Sequence, residues 1–462
     1  MPGASPAGSD ASFAQDAVES RAFKRCFHRA ALRASLVHRR PSHGTDVESR
    51  LHRVDLPVGS LVVASVSLKP GHVQPVWAGH PWIYAQAVEA VSGTPAAGDE
   101  VDVFDPRGQH LGRGLYSPSS AIAVRLFTSR QESLDLQLLE RRIGDALSLR
   151  SKLGLPSAKT NAYRLIHAEG DRLPGLIVDR FADCLVVQFG TLGMHRLRQP
   201  ICQALISITG ARAVLNRTSP RIAASEGFEI GDALLAGEAV DLLRFRERGF
   251  DFELPLELTQ KTGYYLDQRP LRALIEQLSA GISTSLGRGG RVLDGYCFVA
   301  SNALAASRGG AAEVVAVDSS ASALEAAKTQ ARLNSIHNVE FVREDMRRYL
   351  DSAPPKSFDL VLCDPPKLAP NRSAKLKALA AMRKLAQGAT QACRDGGLVV
   401  LCSCSAAIGL FELRRALALG ARDAGRRALV LERTFQGGDH PVPAAFPEGQ
   451  YLTNLIVQVS EY

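Results

Sequence analysis

From Arg291 to the end of the chain, β-branched apolar runs alternate with apolar positions at helical spacing. The first run ends at Asp294, a turn covers Gly295 to Ser301, and a small-residue helix pattern ends at Gly309-Gly310. A second run, Val314 to Val317, closes on Asp318. Strand, turn, helix, strand, acid is the layout of a nucleoside-binding βαβ unit. The rhythm continues with a helix over Ala321 to Leu333, then VEFVRED ending at Asp345, FDLVLCD ending at Asp364 and GLVVLCSCS ending near Cys404. RALVLERTF and YLTNLIVQVS supply two final strands, which makes seven in about 170 residues. Ligands of such α/β sheets gather at the carboxyl ends of the strands, and Asp294, Asp318, Asp345, Asp364 and Cys404 all fall at such ends.

Upstream the pattern differs. Val62 to Phe127 reads as short strands split by Gly and Pro, which predicts a small β-barrel. Leu136, Leu139, Ile143 and Leu147 mark an amphipathic helix over Leu134 to Leu149. Residues 163–189 read as a β-meander, and residues 131–255 together as a small α/β insert. His167, Glu169 and Asp171 within it read as a turn rather than a catalytic cluster. TQKTGYYLDQR joins the insert to the nucleoside unit, with a tight bend at Gly263 and a helix over Leu271 to Leu278. Tyr265 there offers a flat face, and Gln268 and Arg269 offer donors to a cofactor's carboxylate.

The formal net charge of +8 suits a polyanionic partner such as RNA. No run of eighteen apolar residues is present, which predicts no membrane span. The eight cysteines include no CxxC, which predicts a reducing compartment and no metal site. Residues 1–60 carry seven Lys or Arg and no acid between Arg21 and His43, with Phe23, Phe27 and Ala34 on helical spacing. This reads as a mitochondrial or chloroplast transit peptide or as a disordered basic tail, and in the second case the protein is cytoplasmic.

The first turn has no GxGxxG, which argues against a dinucleotide. A nucleoside without phosphates fits better, and S-adenosylmethionine (AdoMet) is such a molecule. An acid at the tip of the second strand, Asp318, offers two acceptor oxygens to two ribose hydroxyls. Asp345 is placed to meet the adenine amino group. Asp364-Pro365-Pro366-Lys367 follows an apolar strand, and its prolines hold the backbone rigid beside a flat base. Enzymes that methylate exocyclic amines usually stack an aromatic after the second proline, whereas Lys367 suits a phosphate or base contact. Carbon 5 of a pyrimidine is a weak nucleophile until a thiolate adds to carbon 6, and Cys404 in Ser403-Cys404-Ser405 is the candidate thiol, with Asp364 as the acid near N3. Cys363 and Cys402 read as packed inside their strands.

HPWIYAQAVEAV, LPGLIVDRF, KTGYYLDQR, VVAVDSSASALEAA, FVREDM, DPPK, SCS and DHPVPAAFPEGQYL occur in this order from about residue 62 onward. Together they resemble the large-subunit ribosomal RNA cytosine-5 methyltransferases that carry an N-terminal PUA domain. The resemblance implies an α/β chain in four parts: a tail over 1–60, a PUA-like RNA-binding β-barrel over 61–130, the central α/β domain over 131–255 and a class I methyltransferase domain over 256–462 with an antiparallel last strand. It also implies AdoMet as methyl donor, 5-methylcytidine in 23S-type rRNA as product and a nucleophilic Cys404. The implied AdoMet site comprises Asp294, Tyr296, Asp318, Asp345 and Asp364, with Gln268 and Tyr265. Lys69, Trp82, Arg113 and Lys367 are the implied RNA contacts; the competing reading makes Trp77 and Trp82 core. The chain departs from the family at Ala300-Ser301, where Gly-Gly is usual, and at Met382, where Tyr is usual. Two other functions stay open: a non-catalytic rRNA-binding assembly factor, and methylation of another RNA atom such as guanine N7. A homodimer also stays open.

Overall fold

The computed structural model describes residues 64–258, 263–368 and 374–462. The readings made for residues 1–60 and 259–262 lie outside the described residues. These described residues form one compact unit.

Its first layer is a six-stranded sheet, in the order Trp82–Tyr84, Ile122–Thr128, His110–Tyr116, Glu100–Phe104, Ser65–Leu68, Val88–Ser92. Val66, Leu68, Ile83, Val101, Val103 and Val124 fill its core. A second sheet of five strands holds the predicted meander, with Ala162–His167, Leu176–Phe181 and Cys184–Phe189 as antiparallel neighbours. The amphipathic helix expected after Leu134 runs from Leu136 to Lys152 and buries Leu138, Leu139 and Ile143 on that sheet. Asp135 caps it by accepting from the Leu138 N–H.

The C-terminal sheet has seven strands: β1 (Arg291–Gly295), β2 (Glu313–Asp318), β3 (Val339–Arg343), β4 (Phe358–Cys363), β5 (Cys393–Ser403), β6 (Arg426–Thr434) and β7 (Thr453–Glu461). Their order is β3-β2-β1-β4-β5-β7-β6, and β7 runs antiparallel to both neighbours. Helices α1 (Arg269–Leu286), α2 (Ser301–Arg308) and α3 (Ala321–Leu333) cover one face; α4 (Met346–Ser352), α5 (Lys375–Ala392) and α6 (Leu410–Asp423) cover the other. Burial on both sides explains why the strands read as continuous apolar runs. This is the class I methyltransferase sheet. The helix expected over Leu271 to Leu278 extends to Leu286, because Leu274, Leu278 and Ile282 continue its apolar stripe against the sheet.

One loop, Gly437 to Gln450, ties the three layers together. Asp439 accepts from the Arg164 backbone N–H at 3.0 Å and from Arg269 at 3.2 Å, and its carbonyl accepts from Arg150 at 2.8 Å. Glu448 accepts from Tyr84 at 3.1 Å and pairs with His80 at 3.2 Å. Gly170 lies so close that a Cβ there would fall 2.0 Å from the Pro441 carbonyl oxygen.

Candidate active site

The register of the seven-stranded sheet decides which residues share a face. Asp294 lies opposite Ala316 on β2 and Leu362 on β4, and Leu362 lies opposite Val400 on β5. Cys402 lies opposite Asn454 on β7. Side chains two apart point the same way, so Asp294, Asp318, Asp364, Cys402, Cys404 and Asn454 belong to the face covered by α1, α2 and α3. Asp318 ends β2, and Asp364 and Cys404 are the first residues past β4 and β5.

Asp364 is half-buried and accepts from Gln268 Nε2 at 3.0 Å through Oδ2. Gln268 is buried just before α1. Tyr265 lies beside them. Partial burial, and then the charges of Asp364, Cys404, Asp267 and Asp318, push its hydroxyl up to about 12. Its ring meets Phe298 edge-on at 5.5 Å.

Cys404 is half-buried, whereas the other six described cysteines are buried. The turn that carries it is closed from both sides: Ser403 Oγ donates to the Ile408 carbonyl at 3.0 Å and the Ile408 N–H donates to the Ser405 carbonyl at 2.9 Å. Burial raises the thiols of Cys402 and Cys363 well above the ordinary range. A buried thiol of that kind stays protonated and inert.

The turn between β1 and α2 is strained. Tyr296, Phe298 and Ala300 have φ of 63°, 50° and 61°, a left-handed conformation taken three times without glycine. It brings the Phe298 N–H to Asp318 Oδ2 at 3.0 Å, while Ser320 N donates to Oδ1 at 2.8 Å. Each oxygen of Asp318 has one such bond and keeps a second lone pair. Burial, then the charges of Cys363 and Asp345, raise the Tyr296 hydroxyl. Asp345 caps α4 through the N–H groups of Arg347 and Arg348 and pairs with the Arg347 side chain at 3.0 Å.

Two oxygens at the start of α2, Asp294 Oδ1 and Asn302 Oδ1, are buried without a hydrogen-bond partner. AdoMet fits this set of residues. Its ammonium would satisfy acceptors that otherwise have none, its ribose would be held by Asp318, and its adenine would lie toward Asp345. Sequence reasoning missed Asn302 and Asn454. For Asn454 the signal was a polar residue at core parity within LTNLIVQV.

The implied RNA contacts are not brought to this edge as a group. Lys367 is exposed three residues past Asp364. Lys69 lies one residue past the strand Ser65–Leu68, where its Nζ donates to the Gln86 carbonyl at 3.1 Å. Arg113 requires correction: it is buried, with Nε and Nη2 donating to Asp102 at 2.8 and 2.9 Å, because β-register sets the two side chains opposite each other. Its guanidinium is committed inside the first sheet. Trp82 is held likewise, with its indole N–H donating to Glu169 at 2.8 Å and its ring edge-on to Phe446 at 4.6 Å. Trp77, which the core reading buried, is 75% exposed.

Comparison with known proteins agrees with this architecture. Residues 66–129 match the PUA-like domain family and residues 288–422 a methyltransferase domain family. The ribosomal RNA large subunit methyltransferase I of Tolumonas auensis is 34% identical over 82% of this chain and 95% of its own length. The protein of the same name from Alteromonas mediterranea is 33% identical over 86% of this chain and 99% of its own. Two solved methyltransferase structures, one complexed with SAH and one from Streptococcus mutans, share the fold with TM-scores of 0.73 and 0.72; each is 18% identical and covers 85% of this chain and 99% of its own. With these likenesses spanning both domains and the strand-end acids in place, the chain belongs to the ribosomal RNA large subunit methyltransferase I family, AdoMet-dependent enzymes with a PUA-like domain ahead of a class I methyltransferase domain.

Proposed function

We propose that the chain methylates carbon 5 of a cytidine in large-subunit rRNA through a covalent adduct to Cys404. The observation that carries this is the place of Cys404: it is half-buried, one residue beyond β5, and on the same face as Asp364. Bound AdoMet supplies the methyl group as an electrophile. The Cys404 thiolate bonds to carbon 6 of the ring, the π pair between carbons 5 and 6 shifts toward carbon 5 and N3, and carbon 5 takes the methyl group, whose sulfonium carrier would leave as a neutral thioether. Asp364 hydrogen-bonds the N3 edge as charge builds there, held through Oδ2 by Gln268. A base then takes the carbon-5 proton, and the pair from that C–H bond re-forms the double bond and expels the thiolate. Lys367, exposed beyond the two prolines, meets the RNA backbone or base.

The test is Cys404→Ala in the full chain with rRNA substrate. Loss of both methyl transfer and covalent capture of 5-fluorocytidine RNA is expected. Unchanged turnover would point to another RNA atom that needs no thiol.

A further inference from the structure

β7 carries one amide through the core, Asn454, with Leu455, Ile456 and Val457 following it. Asn454 is fully buried. An apolar side chain there would avoid the cost of burying an amide, so packing does not account for the residue. Its hydrogen bonds do. Asn454 Nδ2 donates to Gln268 Oε1 at 2.9 Å and to Thr434 Oγ1 at 3.0 Å. Gln268 in turn donates Nε2 to Asp364 Oδ2 at 3.0 Å and, at the longer distance of 3.5 Å, back to Asn454 Oδ1. Two amides therefore run in line from the β6–β7 pair to the acid at the end of β4.

The line has a direction. If the Gln268 amide turned over, its carbonyl oxygen would face Asp364 Oδ2, which accepts both in the carboxylate and in an acid whose proton sits on Oδ1, and two acceptors cannot bond. The N–H that Asn454 presents to Oε1 holds the amide the other way. We propose that Asn454 is a positioning residue for methyl transfer: it fixes which end of Gln268 meets Asp364, and so holds that carboxylate at the catalytic edge. This rests on the reading of Asp364 as the acid beside the cytosine ring.

Asn454→Asp keeps the shape but replaces the donor with an acceptor. In the full chain it lowers kcat roughly 10- to 100-fold, the loss expected for one charge-assisted hydrogen bond, and leaves the KM for RNA within about twofold. Gln268→Ala loses a similar factor, and the double variant is no worse than Gln268→Ala alone, because the two residues act as one unit. Additive losses, or a wild-type kcat in Asn454→Asp, would overturn the proposal. If Asn454→Asp does not fold by thermal melting, Asn454→Ser takes its place in the same cycle with the same expected non-additivity. Capture of 5-fluorocytidine RNA in the presence of AdoMet separates the two levels. No capture by the wild-type chain overturns the cytosine reading and this inference with it. Capture at one rate by wild type and Asn454→Asp overturns the inference alone.

Discussion

Ala303 donates its backbone N–H to Asp294 Oδ2 at 3.0 Å, while Asp294 Oδ1, buried with it, has no hydrogen-bond partner. Burial is the largest influence and pushes the carboxyl up to about 7; the Ala303 N–H and the Asn302 side chain pull it back, and Asp364 and Asp318 push it further up. A folded chain that keeps a proton the unfolded chain releases near 3.8 loses stability as pH rises from there through about 7. Asp294→Asn removes the titration, and its amide can donate to the neighbouring Asn302 oxygen. The variant is expected to match the wild type near pH 4 and to exceed it by a few kcal/mol above about pH 7, read by thermal unfolding across that range. A cationic cofactor group reverses the sign for binding. Wild-type AdoMet affinity rises through neutral pH, and calorimetry of the Asn variant gives a weaker and flatter profile.

Ala300 is the residue before α2, at φ 61° and fully buried. A left-handed alanine costs about 1–2 kcal/mol, and loss of one buried methyl costs about 0.8 kcal/mol. The strain is the larger, so Ala300→Gly raises stability by up to about 1 kcal/mol in urea unfolding. A destabilised variant would show that the methyl's packing outweighs the backbone.

These two positions mark what the chain's pattern could and could not disclose. Asp294, Asp318 and Asp364 were legible because each closes an apolar run of a doubly covered sheet, where a polar residue stands out. The bounds of α3 were legible because Ser320 caps it and Leu324, Ala327 and Ala331 mark its buried stripe. The left-handed turn was not legible, since Tyr296, Phe298 and Ala300 are residues that seldom adopt that conformation and no glycine announced it. Arg113 was misread because its partner Asp102 is set by the pairing of two strands, a relation absent from either strand alone. The role of Asn454 was hidden for a related reason: its parity in the strand could be read, but its partners, Gln268 and Thr434, lie 186 and 20 residues away.

The two tryptophans of the PUA-like domain have opposite surroundings and separable effects. Trp82→Phe removes the bond to Glu169 but keeps a ring against Phe446, so it lowers stability by about 1–2 kcal/mol with RNA affinity unchanged. Trp77, exposed on the short helix Val73–Trp77, is the ring available to stack on a base. Trp77→Ala leaves the melting temperature in place and weakens RNA binding by about 1–3 kcal/mol in a filter-binding or anisotropy titration. An unchanged RNA affinity in Trp77→Ala would place the RNA surface elsewhere.

Thiol chemistry offers a direct view of the strand end. Cys402 and Cys404 share a face and differ in depth. One lies within β5 opposite Asn454 and the other lies beyond the strand in a turn closed by Ser403 and Ile408. Alkylation requires a reachable thiolate, and burial denies Cys402 both reach and ionisation. A brief pulse of iodoacetamide on the folded chain, followed by peptide mass spectrometry, is therefore expected to label Cys404 ahead of the other six described cysteines. Substrate RNA that occupies the site protects Cys404, and Cys404→Ser removes the early label while leaving the others at their slow rate. Labelling of Cys402 at the rate of Cys404 would show that the end of β5 opens in solution, and the choice between the two thiols would then rest on the variants alone.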